Sequence, residues 1–372
     1  MSNRRFEFGI DQLLRAKPNV LPGKRFGLVA HSASVDASGC SSAERLHVRY
    51  GEGLAALFSP EHGYFGSAGA GEKVRSSRHP AWGIPVHSLY GETRRPSAAM
   101  LAGLDAVVFD LQDLSIRCYT YVSTLRYLLE AAAEHRVGVV VCERPNPLVG
   151  VVDGPMLDKR YESFVGCFPG PLVYGMNAGR AALLLVKHLK LNVDVHVMTC
   201  RGEQAPDHAW ISPSPAIRNR HSALCYPVTV CFEALPVVDY GRSSLMPFEL
   251  IGVAGLSARE FSGRMLDLNL PGLLFHPITY EKNDAVYGGA RIAVTDPGKY
   301  RPIAAAVAVL DVLQKMKSAG FVWKTRGSRP AFFDQLFGTG AVRKALQAGV
   351  SWRKIVSSWQ PVITRWKAKA NR

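Results

Sequence analysis

The sequence lacks the patterns that mark several large classes of protein. Its 372 residues contain no run of about 18 apolar residues, so no segment is predicted to span a membrane. The N-terminal residues MSNRRFEF are followed by no apolar stretch of signal-peptide length, and we therefore expect a cytoplasmic protein. The seven cysteines include no CxxC pair, which is typical of free thiols in a reducing compartment. A hydrophobic content of 47% excludes intrinsic disorder.

The signatures of several kinds of active site are missing as well. Neither a GxGxxG nor a Walker motif occurs, so the backbone cradle that holds nucleotide phosphates is not predicted. The GxSxG turn of serine hydrolases is absent. The eleven histidines show no HExxH spacing, and His62 beside Glu61 is a single possible ligand. We therefore predict neither a metal site nor a cofactor.

Negative charge is scarce, most of all towards the C-terminus. The chain has 45 Lys and Arg against 30 Asp and Glu, and between residues 321 and 372 eleven Lys and Arg face Asp334 alone. No recognised nucleic-acid-binding module accompanies this charge, so no specific nucleic-acid partner is predicted. Two interpretations stay open for this basic C-terminal region: it raises the encounter rate with anionic glycans, or it is an ordinary solvated helical face.

What the first half of the chain does contain is an alternation of short apolar runs with amphipathic segments. Continuous apolar runs of this length are typical of strands buried on both faces of a parallel sheet. We predict strands at Arg25–Ala30, Gly53–Phe58, Val86–Tyr90, Ala106–Leu111, Val137–Glu143 and Val193–Thr199, and helices at Val122–His135 and Arg180–Leu191. The alternation favours an α/β fold with a parallel sheet.

The second half differs in character. The prolines of Ile211–Ile217 exclude a helix there. Near Tyr240 a new alternation begins, with predicted strands at Phe248–Gly252, Leu273–Phe275 and Ala290–Val294 and predicted helices at Ala258–Leu268 and Ile303–Lys317. With about 150 residues per domain as a guide, we predict two domains, 1–240 and 241–372.

Three polar clusters follow predicted strands of the first half. They begin at Ser59, Asp110 and Glu143. Ligands bind beyond the carboxyl ends of strands in open parallel sheets, so the clusters are candidates for one site, although each alone fits an ordinary capping loop. A pair of carboxylates across a site is what glycosidic bond cleavage requires. Tyr119 and Tyr121, just after the second cluster, either stack on a sugar ring or pack where the next helix begins.

These clusters belong to a longer series of motifs. In chain order they are SPEHGYFG (59–66), GEKV (71–74), SLYGETR (88–94), FDLQD (109–113), RCYTYVST (117–124), ERPNP (143–147), SFVG (163–166), YGM (174–176), PSP (213–215) and PFELIG (247–252). The series resembles the exo-β-N-acetylmuramidase family, formerly a domain of unknown function, over nearly the whole chain.

The resemblance implies a Rossmann-like parallel-sheet N-terminal domain and a smaller C-terminal α/β domain, with a cleft between them. It also implies a peptidoglycan hydrolase of cell-wall recycling that removes terminal β-1,4-linked N-acetylmuramic acid from the non-reducing end of peptidoglycan fragments or muropeptides. The lactyl carboxylate of this sugar suits bidentate binding by an arginine. Carboxylates suffice for glycoside hydrolysis, so no cofactor is expected. The oligomeric state is left open.

On this basis we predict the site residues. Glu61 is the candidate catalytic acid, with His62 adjacent to it, and Asp113 is the candidate second carboxylate, with Asp110 and Glu72 as rivals. The predicted substrate-binding residues are Glu72, Arg117, Tyr119, Tyr121, Glu143, Arg144, Asn146, Glu233 and Arg242.

The sequence also departs from the family pattern. Arg180, Ala216 and Met246 stand where the family usually has Glu, Asn and Arg. Loss of these polar groups leaves two further hypotheses open: a glycosidase with a shifted sugar specificity, and a muropeptide-binding or glycan-binding protein without hydrolytic activity. Retention or inversion depends on the carboxylate separation, about 5 Å against roughly 6.5–9.5 Å, which the sequence does not give.

Overall fold

The structure of the protein is a computed structural model, which describes residues 6–16, 20–21, 25–69, 71–202, 210–317 and 321–370. Arg372 and the side chain of Lys369, both in the basic C-terminal region, lie outside the described part. The strands are β1 (Phe26–Val29), β2 (Leu54–Ser59), β3 (Ser77–Arg78), β4 (Pro85–Ser88), β5 (Ala106–Phe109), β6 (Gly138–Cys142), β7 (Asp153–Met156), β8 (Pro171–Val173), β9 (Val195–Met198), β10 (Leu250–Ala254), β11 (Leu273–Lys282) and β12 (Ala285–Val294).

The helices alternate with these strands and then dominate the end of the chain. They are α1 (Gly9–Arg15), α2 (Ser42–Tyr50), α3 (Ala98–Leu101), α4 (Tyr121–His135), α5 (Ala178–Leu189), α6 (Arg220–Thr229), α7 (Ala258–Asp267), α8 (Pro302–Met316), α9 (Phe321–Lys324), α10 (Pro330–Phe337), α11 (Ala341–Gln347) and α12 (Trp352–Ala370). In the described part of the chain, every helix is too short or too polar to cross a bilayer. The cellular compartment stays a prediction.

A seven-stranded sheet confirms the predicted α/β class. Its order is β3-β4-β2-β1-β5-β6-β9, and every pair is parallel except the edge pair β3–β4. Without β3, the six parallel strands have the order of a Rossmann sheet, with a topological switch point between β1 and β5. All six were predicted, and their ends are shifted by at most two residues. Strands β1 and β5 are buried along their whole length, as their unbroken apolar sequence requires.

Two short helices that the sequence did not predict complete the core beside this sheet. Helix α1 contacts β6 and β9, and α2 contacts β2. Their apolar side chains Ile10, Leu13 and Leu46 are buried in the same core as the strands. The first residue of α1 is Gly9. A side chain would not fit there, because a Cβ would lie 2.3 Å from the carbonyl oxygen of Met198. With only seven and nine residues, these helices offer too few turns for a clear periodic pattern.

The chain divides into two compact units. The first comprises residues 1–115, 119–146 and 176–215, and the second comprises 116–118, 147–175 and 216–372. Helix α6 packs against α8 within the second unit, which is why residues 216–240 belong to it. The boundary near residue 240 was predicted on the assumption that each domain is one continuous segment, and it stays a prediction.

The second unit contains antiparallel strands, which the sequence patterns did not specify. Its three-stranded sheet has the order β10-β12-β11, and β7 pairs with β8 in a separate ribbon. Strands β11 and β12 extend well beyond the predicted Leu273–Phe275 and Ala290–Val294. They are joined by Asn283 and Asp284, whose φ angles of 50° and 56° are those of a type I′ hairpin turn. The parts of β11 and β12 beyond the predicted segments are half exposed. They therefore lack the continuous apolar sequence by which the buried ends of these strands were predicted.

A buried carboxylate anchors the longest apolar helix of this unit. Asp153 is fully buried at the start of β7 and accepts hydrogen bonds from the backbone N–H groups of Ile303 (2.9 Å) and Ala304 (3.0 Å). These groups belong to the first turn of α8, where a helix leaves N–H groups unpaired and favours negative charge. Asp153 therefore caps α8 from a distant part of the chain.

Candidate active site

Four adjacent parallel strands end in polar residues at the same edge of the large sheet. His31 follows β1, Glu61 follows β2, Asp110 follows β5 and Glu143 follows β6. The carboxyl ends of parallel strands share an edge, so the three predicted polar clusters and His31 lie together there. The β1–β5 pair is the switch point, where α/β proteins bind their ligands.

Glu61 is held by two hydrogen-bond donors. Its Oε2 atom accepts from the hydroxyl of Thr120 at 2.7 Å, and its Oε1 atom accepts from the backbone N–H of Gly71 at 2.8 Å. The residue is only 9% exposed. A buried carboxyl group with fixed partners and a small accessible face is suited to act on a bound ligand.

The loop that carries Glu61 is folded back on itself. His62 has a left-handed backbone with a φ of 73°, and Gly63 continues it with a φ of 78°. The Nδ1 atom of His62 lies 2.9 Å from the carbonyl oxygen of Ala68. Residues of ordinary type rarely adopt a positive φ, so this loop concentrates backbone strain at the candidate site. His62 thereby ties the loop together beside Glu61.

Asp110 and Asp113, two of the candidates for the second carboxylate, have different surroundings in the structure. Asp110 is 0% exposed, and its carboxylate accepts from Nη1 of Arg144 at 2.8 Å and from the hydroxyl of Ser42 at 2.5 Å. The Arg144 side chain is 2% exposed, and its Nη2 atom donates to the carbonyl oxygen of Val35. The geometry favours a structural ion pair for Asp110 and Arg144 rather than contact with a substrate.

Asp113 lies instead in a cluster with the two predicted tyrosines. Its Oδ2 atom accepts from the backbone N–H of Ser115 at 2.9 Å. Burial raises the pKa of Tyr119 well above its usual value, and the charges of Tyr121 and Asp113 add to the effect. The rings of Tyr119 and Tyr121 meet edge to face at 4.8 Å. Tyr121 is close enough to Glu61 for that carboxylate to raise the tyrosine pKa further, after burial itself.

Glu143 lies at the N-terminus of helix α5. Burial raises the pKa of its carboxyl group, while hydrogen bonds from Asn177 and from the backbone of Gly179 and Arg180 oppose that rise. A Cβ on Gly179 would come within 2.7 Å of its Oε1 atom, so the glycine permits this close approach. Arg180, the departure from the family pattern, is exposed on α5. Asn146 donates to the hydroxyl of Ser115 at 3.2 Å and lies on the same edge.

His31 is a site residue that the sequence analysis missed. Burial lowers its pKa to about 3, with smaller contributions from Arg144 and His62. The backbone N–H of Gln112 approaches its Nε2 atom at 3.4 Å, as a neutral ring allows, and the ring meets Tyr121 edge to face at 5.2 Å. The available signal was its position directly after the first predicted strand, but the predicted site rested on carboxylates, which a histidine does not supply.

The remaining predicted residues have partners of their own. Glu72 is exposed in the Glu61 loop and accepts from the backbone of Gly69. Arg117, in the second unit, is fully buried and donates to the carbonyl oxygens of Gly170 (3.1 Å) and Phe337 (2.6 Å). Burial lowers the pKa of Arg117 to about 9. These contacts favour a structural role for Arg117, because both hydrogen bonds join parts of its own unit.

Two predicted residues of the second unit do come together. Glu233 and Arg242 form an ion pair at 3.6 Å, and Arg242 also donates to the hydroxyl of Tyr240 at 3.3 Å. The Arg242 side chain is 37% exposed, unlike those of the other two predicted arginines. Among the residues that the structure describes, no three His, Cys, Asp or Glu side chains are grouped as metal ligands would be.

Comparisons with known proteins agree with this architecture. Family models described as exo-beta-N-acetylmuramidase NamZ match the N-terminal part at residues 26–221 and the C-terminal part at 224–372. Peptidoglycan beta-N-acetylmuramidase NamZ of Bacillus subtilis (strain 168) is 34% identical over 370 residues, covering 96% of this chain and 88% of that protein.

Two crystal structures of DUF1343 family proteins from Bacteroides fragilis NCTC 9343 are also similar. The first has a TM-score of 0.89 and 29% identity and covers 98% of both chains. The second has a TM-score of 0.76 and 26% identity, covering 98% of this chain and 97% of the other.

Proposed function

The chain belongs to the exo-beta-N-acetylmuramidase NamZ family, and from this premise we propose that it releases terminal β-1,4-linked N-acetylmuramic acid from peptidoglycan fragments. It is a glycoside hydrolase that acts on such fragments, because its Bacillus subtilis relative is a peptidoglycan beta-N-acetylmuramidase. The observation that carries the residue-level proposal is Glu61, a nearly buried carboxyl group held by two donors at the edge of the sheet where α/β proteins bind ligands.

Glu61 is the proposed catalytic acid. It protonates the glycosidic oxygen as the bond to the sugar breaks, so that the leaving sugar departs as a neutral alcohol. Asp113 is the proposed second carboxylate and stabilises the positive charge that develops at the sugar carbon. This choice over Asp110 is supported by the ion pair of Asp110 with Arg144, which already occupies that carboxylate.

Tyr119 and Tyr121 stay predicted substrate-binding residues. Their rings are only 6% and 1% exposed and meet each other edge to face, which favours packing beside Asp113 and Glu61 over stacking on a sugar ring. Glu143, Asn146, Glu233 and Arg242 stay predicted substrate contacts, as does the exposed Glu72.

The decisive experiment measures sugar release by the purified protein. A chromogenic N-acetylmuraminide and isolated muropeptides are the substrates, and a small panel of other glycosides tests for shifted specificity. Turnover of the muraminide excludes the hypothesis of a binding protein without activity. Tight binding of muropeptides without turnover contradicts hydrolysis, and exclusive turnover of another glycoside contradicts the proposed sugar.

Glu61→Gln tests the assignment of the acid. We expect kcat to fall by about 10²–10⁴-fold, the usual contribution of a general acid, with Tm within a few degrees of the wild type. Glu52→Gln is the matched control, because Glu52 is an exposed glutamate at the opposite end of β2. Full activity of Glu61→Gln would remove Glu61 from the mechanism.

A further inference from the structure

Thr120 occupies a helix-capping position but does not cap the helix. It is the residue before α4, where a threonine hydroxyl ordinarily accepts a hydrogen bond from the first turn of the helix. No such bond forms here. The hydroxyl lies 2.7 Å from Oε2 of Glu61 instead, and the residue is 7% exposed. The backbone of Thr120 is helical, with φ −64° and ψ −8°, rather than extended as in a capping residue, so its hydroxyl is left for the contact with the proposed acid.

The two oxygens of Glu61 have partners of different kinds. The backbone N–H of Gly71 can only donate, so Oε1 accepts from it whether or not the carboxyl group is protonated. The acidic proton of Glu61 consequently belongs on Oε2, beside the Thr120 hydroxyl. A hydroxyl can accept from a protonated carboxyl group and can donate to an ionised one. Neither an amide N–H nor an ammonium group can do both.

We propose that Thr120 is a positioning residue that fixes the proton of Glu61 on Oε2 and then stabilises the carboxylate that proton transfer leaves behind. The inference rests on the proposed role of Glu61. During the reaction the Oε2–H group turns from the Thr120 oxygen to the glycosidic oxygen. The Oε2–H bond breaks, a new O–H bond forms on the glycosidic oxygen, and the electrons of the breaking C–O bond pass to that oxygen. The sugar carbon is left with the positive charge that Asp113 stabilises and then bonds to the oxygen of a water molecule, whose released proton restores the acid. The Thr120 hydroxyl turns to donate to Oε2 as the negative charge appears there.

A purely structural contact would have different consequences. If Thr120 only tied the helix to the Glu61 loop, its loss would reduce stability and affect every substrate alike. If Thr120 assists proton donation by Glu61, the effect of its loss depends on the leaving group. A poor leaving group needs protonation, whereas an activated aryl group needs little. The comparison of two substrates therefore separates the two roles.

Thr120→Val removes the hydroxyl at nearly constant shape. A hydrogen bond to a charged group is worth about 1.5–3 kcal/mol, so we expect kcat on muropeptides to fall about 10- to 100-fold. KM should stay within about twofold, because the Thr120 hydroxyl is hydrogen-bonded to Glu61 and the residue is only 7% exposed. On a nitrophenyl N-acetylmuraminide we expect an at least roughly fivefold smaller loss. Thr120→Ser should restore most of the activity.

Thr124→Val is the matched control on the same helix. The Thr124 hydroxyl donates at 3.2 Å to the carbonyl oxygen of Thr120, which also accepts from the Thr124 backbone N–H, so its loss leaves no group unpaired. We expect wild-type kcat on both substrates. If Thr120→Val does not purify as a folded protein, Thr120→Ala replaces it.

The outcomes distinguish the inference from its premise. Full activity of Glu61→Gln overturns the proposed role of Glu61 and the inference with it. An inactive Glu61→Gln together with a Thr120→Val that behaves like Thr124→Val overturns the inference alone. Equal losses on the two substrates, or no rescue by Thr120→Ser, also overturn it.

Discussion

Asp110→Asn distinguishes a structural aspartate from a catalytic one. Asp110 is fully buried, with one carboxylate oxygen 2.8 Å from Arg144 and the other 2.5 Å from the Ser42 hydroxyl. Asparagine keeps the shape of the side chain and removes its charge. The guanidinium of Arg144, itself 2% exposed, then lies in the core without a counterion.

The expected cost is large because the abandoned charge is buried. Breaking a buried ion pair by removing one partner costs about 3–5 kcal/mol. In a cooperative unit of roughly 150–250 residues, each kcal/mol lowers Tm by about 2–4 °C, so we expect a decrease on the order of 10 °C. Turnover measured well below this Tm should change little, because the carboxylate has no free oxygen for a substrate.

Thermal unfolding followed by circular dichroism, with kcat measured at 20 °C, tests both parts. Arg144→Met and the double variant Asp110→Asn/Arg144→Met complete a mutant cycle. The double variant should be less destabilised than the two single variants added together, because it leaves no unpaired charge. An Asp110→Asn protein with an unchanged Tm and no turnover would refute the reasoning and make Asp110 the catalytic carboxylate.

Two further predictions concern charge. Burial lowers the pKa of His31 to about 3, so below pH 6.5 the unfolded chain binds a proton that the folded protein excludes. The free energy of unfolding should therefore fall as pH decreases from 6.5 towards 3, by up to about 1.4 kcal/mol per pH unit. His31→Gln should flatten this pH dependence, which urea titrations at several pH values measure. An equally steep pH dependence in the variant would contradict the assignment. Replacing Arg365, Lys367, Lys369 and Arg372 with Ser should weaken the salt dependence of kcat/KM and leave kcat unchanged, since charges such as those of the exposed Arg365 and Lys367 act on encounter through a field screened over about 10 Å at 0.1 M salt. An unchanged salt profile, or tight salt-resistant binding of the wild type to duplex DNA, would count against a role in glycan encounter.

The sequence by itself determined the parallel sheet and the edge at which the site lies. Apolar runs such as Ala106–Phe109 are local signals, and a strand buried on both faces leaves an unbroken one. The residues that follow these runs must then meet at one edge, so Glu61 and Glu143 could be placed without coordinates. The short helix α1 and the exposed ends of β11 and β12 were not predicted, because they carry little periodic apolar pattern.

Only the tertiary structure decided what each polar side chain is free to do. The sequence makes Asp113 the candidate second carboxylate and leaves Asp110 as a rival. In the structure the carboxylate of Asp110 is hydrogen-bonded to Ser42, 68 residues away, and to Arg144, 34 residues away. The sequence analysis gives Thr120 no role, but the fold brings its hydroxyl to Glu61, 59 residues earlier in the chain. Hydrogen bonds and burial between residues so far apart leave no local pattern, because they depend on which strands become neighbours when the chain folds.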